Sequence, residues 1–348
     1  MSQIIVAPAV RDLDQLAGAL ANWLAGRMPR ASGIAVSNLT YPRGAGRSHE
    51  TILFDVDWQE HGAPRRQGCV VRIKPTRYQI YPDNLFDEQY GVIRALHEDG
   101  RVKVPRPLWI EQDETILGAP FFVMEKVIGR VAVSYPPYAQ SGWVADASPE
   151  QRRRFWENGV TQLAAMQRVP LDKLAFLAGA AHAPHGLEQE FDKFTRFVDW
   201  NEEERPWPVL RDALARLREQ WPANRPEGLV WGDARIGNMI FGEDFQVLAV
   251  VDWEQPSLGG ALNDLGWWLT SAQMMHGARG DRPQMEGMGT RQETIELWEK
   301  LSGKSAQDVD WYEDFTHLKM SCLAIRMACL DGERLPDERE LAKRLKVE

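Results

Sequence analysis

The sequence has little cysteine, no excess of positive charge and no long apolar run. Its three cysteines, Cys69, Cys322 and Cys329, form no CxxC pair and lie near no histidine at metal spacing, so we expect buried free thiols and not disulfides or zinc ligands. The net charge of −9 argues against a broad basic surface for nucleic acid or for an anionic membrane. Any anionic ligand would need a local site.

No stretch approaches the roughly 18 apolar residues of a membrane-spanning helix, and the N-terminal segment lacks a basic region followed by an apolar one. We therefore expect a cytoplasmic protein without nucleic-acid or membrane partners. What the sequence does contain is ordinary globular composition, with 44% hydrophobic and 26% charged residues over 348 positions. That length makes two packed domains a reasonable expectation.

The first third of the sequence has the pattern of a mixed α+β domain. Leucine and tryptophan at helical spacing predict a helix over residues 11–27, and a second helix pattern covers Phe86–Leu96. Strand patterns occur at four places, namely 52–58, 69–73, 105–110 and 121–127. We expect an antiparallel sheet with helices over residues 1–125, followed by a second domain over residues 126–348.

The second domain is predicted to be mostly helical. Ser148-Pro149 followed by Gln151 is typical of a helix start with a capping box. Further helical patterns lie at 191–198, 209–221, 295–301 and 311–330, with one compact β segment at 229–253 between them. The glycine- and methionine-containing stretch 276–290 is expected to be a mobile loop.

Two aspartates and an asparagine follow in a fixed order within the β segment. An apolar strand, Leu229–Trp231, is predicted to lead into Asp233 on a glycine-flanked loop, Asn238 comes five residues later, and a second strand ends at Asp252. Phosphoryl transfer uses one carboxylate to orient and deprotonate the acceptor hydroxyl, and an amide oxygen and a carboxylate to hold magnesium. The pattern predicts Asp233 as the base and Asn238 and Asp252 as magnesium ligands.

This order resembles the aminoglycoside phosphotransferase-like (choline-kinase-like) family, which shares the protein-kinase fold. The family pattern is His-Gly-Asp-x-x-x-x-Asn, then Ile-Asp-Trp-Glu, then an Asp-Leu pair; this sequence has Gly232-Asp233, Asn238, Val251–Glu254 and Asp264-Leu265. The resemblance implies an α+β, two-lobed protein-kinase-like fold, with an antiparallel sheet and a helix in the N-lobe and a mostly helical C-lobe. It also implies transfer of the γ-phosphate of ATP, or of another nucleoside triphosphate, to a small-molecule hydroxyl with Mg2+.

The family also suggests residues that contact the phosphates from the N-lobe. Val70–Ile73 resembles the strand whose basic residue contacts the α- and β-phosphates, and Arg72 is the preferred candidate because Arg binds phosphate in a bidentate way. Lys74 is the alternative, since on an extended strand it faces the same side. The partner of this basic residue stays open, because the family register puts Gln89 where a Glu is usual and Glu88 lies one place early.

Two backbone segments resemble further parts of the nucleotide site. Gly44–Thr51 resembles the turn that covers the phosphates, which makes Gly46 and Ser48 candidates, although most such turns are ordinary hairpins. Pro120–Gly129 resembles the strand and hinge whose main chain binds the adenine edge. Glu125 and Val127 are the candidates there, and a plain edge strand is the alternative.

Arg235 and Trp231 flank the predicted base. Arg235 stands where protein kinases carry a Lys that stabilises charge on the transferring phosphoryl group, with a surface ion pair as the alternative. Trp231 replaces the family His, and we expect it to support the loop by packing and by donating from its indole nitrogen. Trp231 and Gln89 also motivate a second hypothesis, a nucleotide-binding pseudokinase without turnover.

A third hypothesis, a magnesium phosphohydrolase, leaves the Arg72 strand and the hinge without a purpose. Within the kinase reading the acceptor could be an aminoglycoside, an amino alcohol or a hydroxyacyl compound. The tryptophans near the motif, Trp231, Trp253, Trp267 and Trp268, suggest an acceptor pocket with apolar walls and so favour something less polar than an aminoglycoside, although their helical spacing favours core packing for each one. Neither the acceptor, nor the choice of ATP or GTP, nor the oligomeric state follows from fold and motif.

Overall fold

The computed structural model describes residues 11–42, 49–76, 79–179, 186–276 and 284–348. Gly46, Ser48 and residues 277–283 of the predicted loop lie outside these ranges. The chain groups into two compact units. The first comprises Met1–Ile80 and Pro105–Ile128, and the second comprises Tyr81–Val104 and Gly129–Glu348.

Many of the described helices and strands match the sequence patterns. The helices, in chain order, are α1 (Leu13–Arg27), α2 (Phe86–Asp99), α3 (Glu114–Leu117), α4 (Pro149–Met166), α5 (Leu187–Glu202), α6 (Pro208–Glu219), α7 (Leu262–His276), α8 (Arg291–Ser302), α9 (Val309–Asp331) and α10 (Glu338–Leu345). The strands are β1 (Ala31–Thr40), β2 (Glu50–Glu60), β3 (Ala63–Ile73), β4 (Pro107–Glu111), β5 (Phe121–Glu125), β6 (Arg130–Val131), β7 (Met239–Phe241) and β8 (Val247–Val250).

The first unit is built on an antiparallel five-stranded sheet in the order β1-β2-β3-β5-β4. Alternate side chains of β2, β3 and β5 share one core with the apolar face of α1, which contributes Leu16, Leu20 and Leu24. On β3 this core takes Cys69, Val71 and Ile73. Because side chains alternate along a strand, Arg72 points to the opposite face.

A two-residue turn sets the register between β2 and β3. Glu60 pairs with Ala63, and the two residues between them, His61 and Gly62, both have positive φ (51° and 77°). Such a turn matches the twist of the flanking strands. From it the pairing runs without interruption to Glu50 and Ile73.

Strands β1 and β6 and helices α3, α7 and α10 were not predicted from the sequence. The side chains of β1 are all exposed or half-buried, because this strand lies at the edge of the sheet. It therefore lacks the clean alternation of apolar and polar residues that identified β2. Helix α10 is short, and only Leu341 and Leu345 on it are buried.

The second unit is mostly helical, as predicted, with a three-stranded sheet in the order β6-β7-β8. The predicted start of α4 is confirmed: Ser148 and Gln151 form a reciprocal capping box, and Pro149 is the first helical residue.

The predicted strand at Leu229–Trp231 is wrong. Only Val230 pairs there, in an isolated bridge to Ser257. The next two backbone N–H groups, those of Trp231 and Gly232, donate to the Asp264 carboxylate at 2.6 and 3.0 Å. The Asp264 side chain thus takes the place of a neighbouring strand. The backbone N–H groups of this apolar segment have their hydrogen-bond acceptors without belonging to a sheet.

The thiol prediction is correct for two of the three cysteines. Cys69 and Cys322 are buried free thiols, whereas Cys329 is only half-buried, in the last turn of α9 before Gly332. Across the described ranges, no helix combines the length and the apolar character needed to cross a membrane.

A buried ionic cluster joins α5, α7 and α9 in the second unit. Glu190 accepts from Lys319 at 2.9 Å and from the Ser257 hydroxyl at 2.7 Å, and it forms an ion pair with Lys193 at 3.0 Å. Lys319 also donates to Asn263 at 2.8 Å. Burial alone would raise the pKa of Glu190, but the charges of Lys193 and Lys319 and these hydrogen bonds lower it to about 2.

Candidate active site

The predicted base lies on a tight loop of the second unit. A 3-10 turn, Ile236–Asn238, closes the loop, with Asn238 N–H donating to Arg235 O at 2.9 Å and Arg235 N–H donating to Asp233 O at 2.9 Å. Gly232 has φ of 100°, and a Cβ there would lie 2.8 Å from the carbonyl oxygen of Gln255. Only glycine fits this approach to the Gln255 backbone, which brings Asp233 into place.

Three side chains hold the Asp233 carboxylate. Oδ2 accepts from Asn238 Nδ2 at 2.7 Å and from Arg235 Nε at 2.9 Å, and Oδ1 accepts from Trp267 Nε1 at 2.9 Å. The Asp233 side chain is still 24% exposed, so a substrate can reach it. Arg235 also donates to the Ser134 hydroxyl at 2.8 Å. Burial would lower the pKa of Arg235, but the Asp233 charge and hydrogen bond raise it, so this residue stays a cation.

The β7–β8 hairpin brings the two predicted magnesium ligands to one end. Asn238 immediately precedes β7, Asp252 lies two residues after β8, and Met239 pairs with Val250 between them. Val251 N–H donates to Asn238 O at 3.0 Å. The Asn238 amide nitrogen is engaged by Asp233, which leaves its oxygen as the atom suited to a cation.

Asp252 takes a left-handed backbone conformation, with φ of 68°. Among non-glycine residues, Asp and Asn tolerate this region best. The chain therefore turns sharply at the residue predicted to bind the metal, two residues after the end of β8.

Trp231 links the loop that carries Asp233 to the backbone around Asp252. It is fully buried, and its indole Nε1 donates to the carbonyl oxygens of Val251 and Asp252 at 3.0 and 3.1 Å. Its ring packs against Trp253, with ring centroids 5.6 Å apart. The expected indole donation is thus confirmed, and its acceptors are the backbone around the predicted metal ligand.

The donor set at this end of the hairpin fits magnesium only with help from the substrate. In the described part of the chain, no group of three or more His, Cys, Asp or Glu side chains is placed to hold a metal. Magnesium commonly binds through one or two carboxylates, with water and substrate phosphates completing its shell. Asn238 and Asp252 match that pattern, in which the protein supplies only part of the metal's ligands.

A cavity of about 750 Å³ opens beside Asp233 within the second unit. Asp233 and Arg235 lie in its wall, and Trp156, Trp267 and Trp268 form its aromatic sides. Methionines supply much of the remaining lining, namely Met274, Met275, Met288, Met320 and Met327. Methionine adapts its shape to apolar ligands of irregular form. Trp231 and Trp253, by contrast, are core residues outside this lining.

Tyr81 lies within electrostatic range of the carboxylates of this site, and sequence reasoning missed it. Burial raises the pKa of its phenol well above the usual value, and the charges of Glu254, Asp233 and Asp252 raise it further. The phenol therefore stays neutral. Tyr81 is distant from the motif in sequence, and no pattern around it signals this position.

The predicted phosphate-binding residue of the first unit, Arg72, is buried on β3, where it pairs with Thr51 and Phe122. Lys74 lies beyond the last residue of that strand. In the second unit, Gln89 is buried on α2 and Glu88 is half-buried. The pairing of Arg72 with either of them stays a prediction.

The predicted hinge contacts lie at the end of β5. The N–H of Glu125 donates to Arg106 O at 2.9 Å, and that of Lys126 donates to Gly68 O at 3.0 Å, so both are used within the first unit. Over the described ranges, the Val127 N–H has no acceptor within the protein. Binding of a ligand by Glu125 or Val127 stays a prediction.

The sequence model of the phosphotransferase enzyme family, APH, matches residues 44–303. Because this match covers most of the chain, the protein belongs to that family, and the resemblance predicted from the motif order is confirmed. Membership of this family supports the activity of a small-molecule phosphotransferase.

Two curated relatives have longer chains. The Arabidopsis thaliana protein named Probable acyl-CoA dehydrogenase IBR3 is 26% identical over 233 residues, which cover 64% of this chain and 27% of that protein. The Homo sapiens protein named Acyl-CoA dehydrogenase family member 11 is 23% identical over 290 residues, which cover 80% of this chain and 35% of that protein. The chain thus spans about a third or less of these relatives.

Two solved structures with a similar fold carry the names of phosphotransferases or kinases. One, from Ralstonia eutropha JMP134 and described as an aminoglycoside phosphotransferase, is 22% identical with a TM-score of 0.66, and the match covers 94% of each chain. Amicoumacin kinase hAmiN, solved with AMP-PNP, Ca2+ and Ami, is 14% identical with a TM-score of 0.55, covering 93% of this chain and 92% of that one. At these identities the likeness shows the fold alone, and the expected α+β, protein-kinase-like class is confirmed.

Proposed function

We propose that this protein transfers the γ-phosphate of ATP to a hydroxyl group of a small molecule, with Asp233 as the base. The observation that carries the proposal is the position of Asp233. Its carboxylate is held by three donors and also forms part of the wall of a large apolar cavity. A base fixed beside an acceptor-sized cavity is what hydroxyl activation requires.

The proposed step is an in-line displacement. The acceptor hydroxyl gives its proton to Asp233, its oxygen bonds to the γ-phosphorus, and the bond from that phosphorus to the oxygen shared with the β-phosphate breaks, which releases the nucleoside diphosphate. Arg235 lies beside Asp233 and would stabilise the charge on the transferring group. Magnesium held by Asn238 and Asp252 would neutralise the phosphates.

Nucleotide binding is proposed for residues of the first unit. Arg72 would contact phosphate, and the backbone of Glu125 and Val127 would contact the adenine edge. The Val127 N–H, which has no protein acceptor in the described ranges, supports this assignment. Gly46 and Ser48 stay candidates on the strength of the motif alone.

We further propose a hydroxyacyl compound as the acceptor. Among the described residues that line the cavity, Asp233 is the only carboxylate, whereas an aminoglycoside carries several ammonium groups that call for acidic partners. Methionine and tryptophan walls favour an aliphatic chain. The two relatives named as acyl-CoA dehydrogenases accord with an acyl substrate.

The test is a nucleotide-consumption screen across hydroxyacids and their thioesters, amino alcohols and aminoglycosides, run beside Asp233→Asn. Asn keeps the shape of the side chain but is not a base, so turnover should fall by about 10²–10⁴-fold while nucleotide binding, measured by calorimetry, persists. Near-wild-type turnover in Asp233→Asn would refute the assignment of the base.

The alternative is a pseudokinase that binds nucleotide without turnover. Trp231 in place of the family His motivates it. Against it stand Asp233, Asn238 and Asp252, which are all present, and the hydrogen bonds that hold Asp233 and Asn238 together.

A further inference from the structure

One oxygen of the Asp233 carboxylate has more room for a new hydrogen bond than the other. A carboxylate oxygen offers two lone pairs. On Oδ2 both are taken, by Asn238 and Arg235, whereas Oδ1 accepts, among the residues that the structure describes, only from Trp267. A hydroxyl that approaches Asp233 therefore finds its free acceptor position on Oδ1, next to the Trp267 indole.

A single helix face fixes this arrangement. Asp264 and Trp267 are three residues apart on α7, which places them one above the other on the same side of the helix. Asp264 accepts the N–H groups of Trp231 and Gly232, and Trp267 donates to Asp233. Three consecutive residues of the catalytic loop, 231 to 233, are thus tied to one turn of α7.

The same indole also forms part of the acceptor cavity. Trp267 is buried and lines the cavity together with its neighbour Trp268. A ligand that packs against the Trp267 ring therefore contacts the group that orients the base. The same rigid side chain therefore contacts both the ligand and the Asp233 carboxylate.

We propose that Trp267 is a positioning residue, which holds the Asp233 carboxylate so that Oδ1 receives the acceptor proton. The inference rests on the proposed phosphotransfer to a hydroxyl. It assigns the indole N–H a role in turnover that is separable from the apolar contact its ring makes with the acceptor.

Two substitutions separate the roles of the ring and of the N–H. Trp267→Phe keeps an aromatic ring and removes the donor. Trp267→His keeps a donor, because Nε2 of imidazole occupies the same place in its five-membered ring as Nε1 of indole, but it loses the second ring. Trp298→Phe is the matched control: Trp298 is fully buried on α8, lies outside the cavity lining, and its indole N–H has no partner in the described part of the protein.

The measurements are kcat and acceptor KM, with the best acceptor from the screen, and nucleotide affinity by calorimetry. We expect Trp267→Phe to lower kcat by about ten- to a hundredfold through a misplaced base, with less than a threefold change in KM and in nucleotide affinity. Trp267→His should retain most of kcat and raise KM, and Trp298→Phe should leave both constants within about twofold.

Several results would overturn the inference. If Trp267→Phe keeps the wild-type kcat, or if Trp267→His loses as much kcat as Trp267→Phe, then the N–H does not position the base. An equal loss in Trp298→Phe would show a general effect of removing tryptophan. Thermal melting checks that each variant is folded. Absence of turnover in the wild-type protein with every acceptor would instead refute the proposed function, so the two failures are distinguishable.

Discussion

Replacing Trp231 tests whether this residue supports an active site or has replaced a His without which the protein is an inactive pseudokinase. Its side chain is fully buried, and its indole N–H reaches two carbonyl oxygens, those of Val251 and Asp252. Trp231→Phe keeps most of the volume but leaves these carbonyls without their donor, which should cost about 1–3 kcal/mol of unfolding free energy. Trp231→Ala adds a cavity, and removing so large a buried ring costs about 3–5 kcal/mol.

The kinetic expectation follows from the same contacts. Because Trp231→Phe loses only the N–H and keeps most of the packing that supports the loop of Asp233, we expect it to retain substantial turnover, and we expect Trp231→Ala, which loses both, to lose most of it. The assays are urea denaturation for the free energy of unfolding and nucleotide consumption against one shared acceptor panel. Trp231→His completes the series, since it restores the family residue.

Two outcomes would contradict this reasoning. A loss of stability below about 1 kcal/mol in Trp231→Ala would mean that neither the packing nor the hydrogen bonds matter as the geometry indicates. Turnover that appears only in Trp231→His would mean that the native protein is a pseudokinase.

Two further perturbations test the metal site and the buried ionic cluster. Asp252→Ala should weaken binding of magnesium nucleotide more than Asn238→Ala does, because a carboxylate contributes a full charge and an amide only a dipole; calorimetry with and without magnesium measures this, and unchanged affinity in Asp252→Ala would place the metal elsewhere. Glu190→Gln should cost about 3–5 kcal/mol, since Lys193 and Lys319 would be buried without their anion. The pKa of Glu190 is lowered from 4.5 to about 2, so its contribution to stability is present above about pH 4.5 and is lost as the pH falls towards 2. The free energy of unfolding, measured by denaturation at several pH values between 2 and 5, should therefore change less with pH in Glu190→Gln than in the wild-type protein. The same pH dependence in both would contradict this.

The order of residues along the chain was sufficient to predict much of the fold and the centre of the site. The capping residues predicted the start of α4, and the alternation of apolar and polar residues predicted β2. Asp233 and Asn238, five positions apart, were expected to lie together, and they are hydrogen bonded. These features depend on local chemistry, so a single sequence reveals them.

Other features depend on contacts between distant residues. The spacing of Trp267 favoured core packing over a place in the wall of an acceptor pocket, and nothing in it indicates that the indole N–H meets Asp233, 34 positions away. Tyr81 carries no motif. The strand expected before Asp233 is missing because Asp264 satisfies the backbone there, and an apolar run alone does not distinguish the two arrangements.

The left-handed backbone of Asp252 has a consequence for anyone who engineers this enzyme for heat tolerance. A non-glycine residue in this conformation costs about 1–3 kcal/mol, and glycine would relieve that cost. A library selected only for melting temperature would therefore favour glycine at position 252 and discard the carboxylate proposed to bind the metal. At this position thermal tolerance and turnover are expected to pull in opposite directions, so such a selection has to score both.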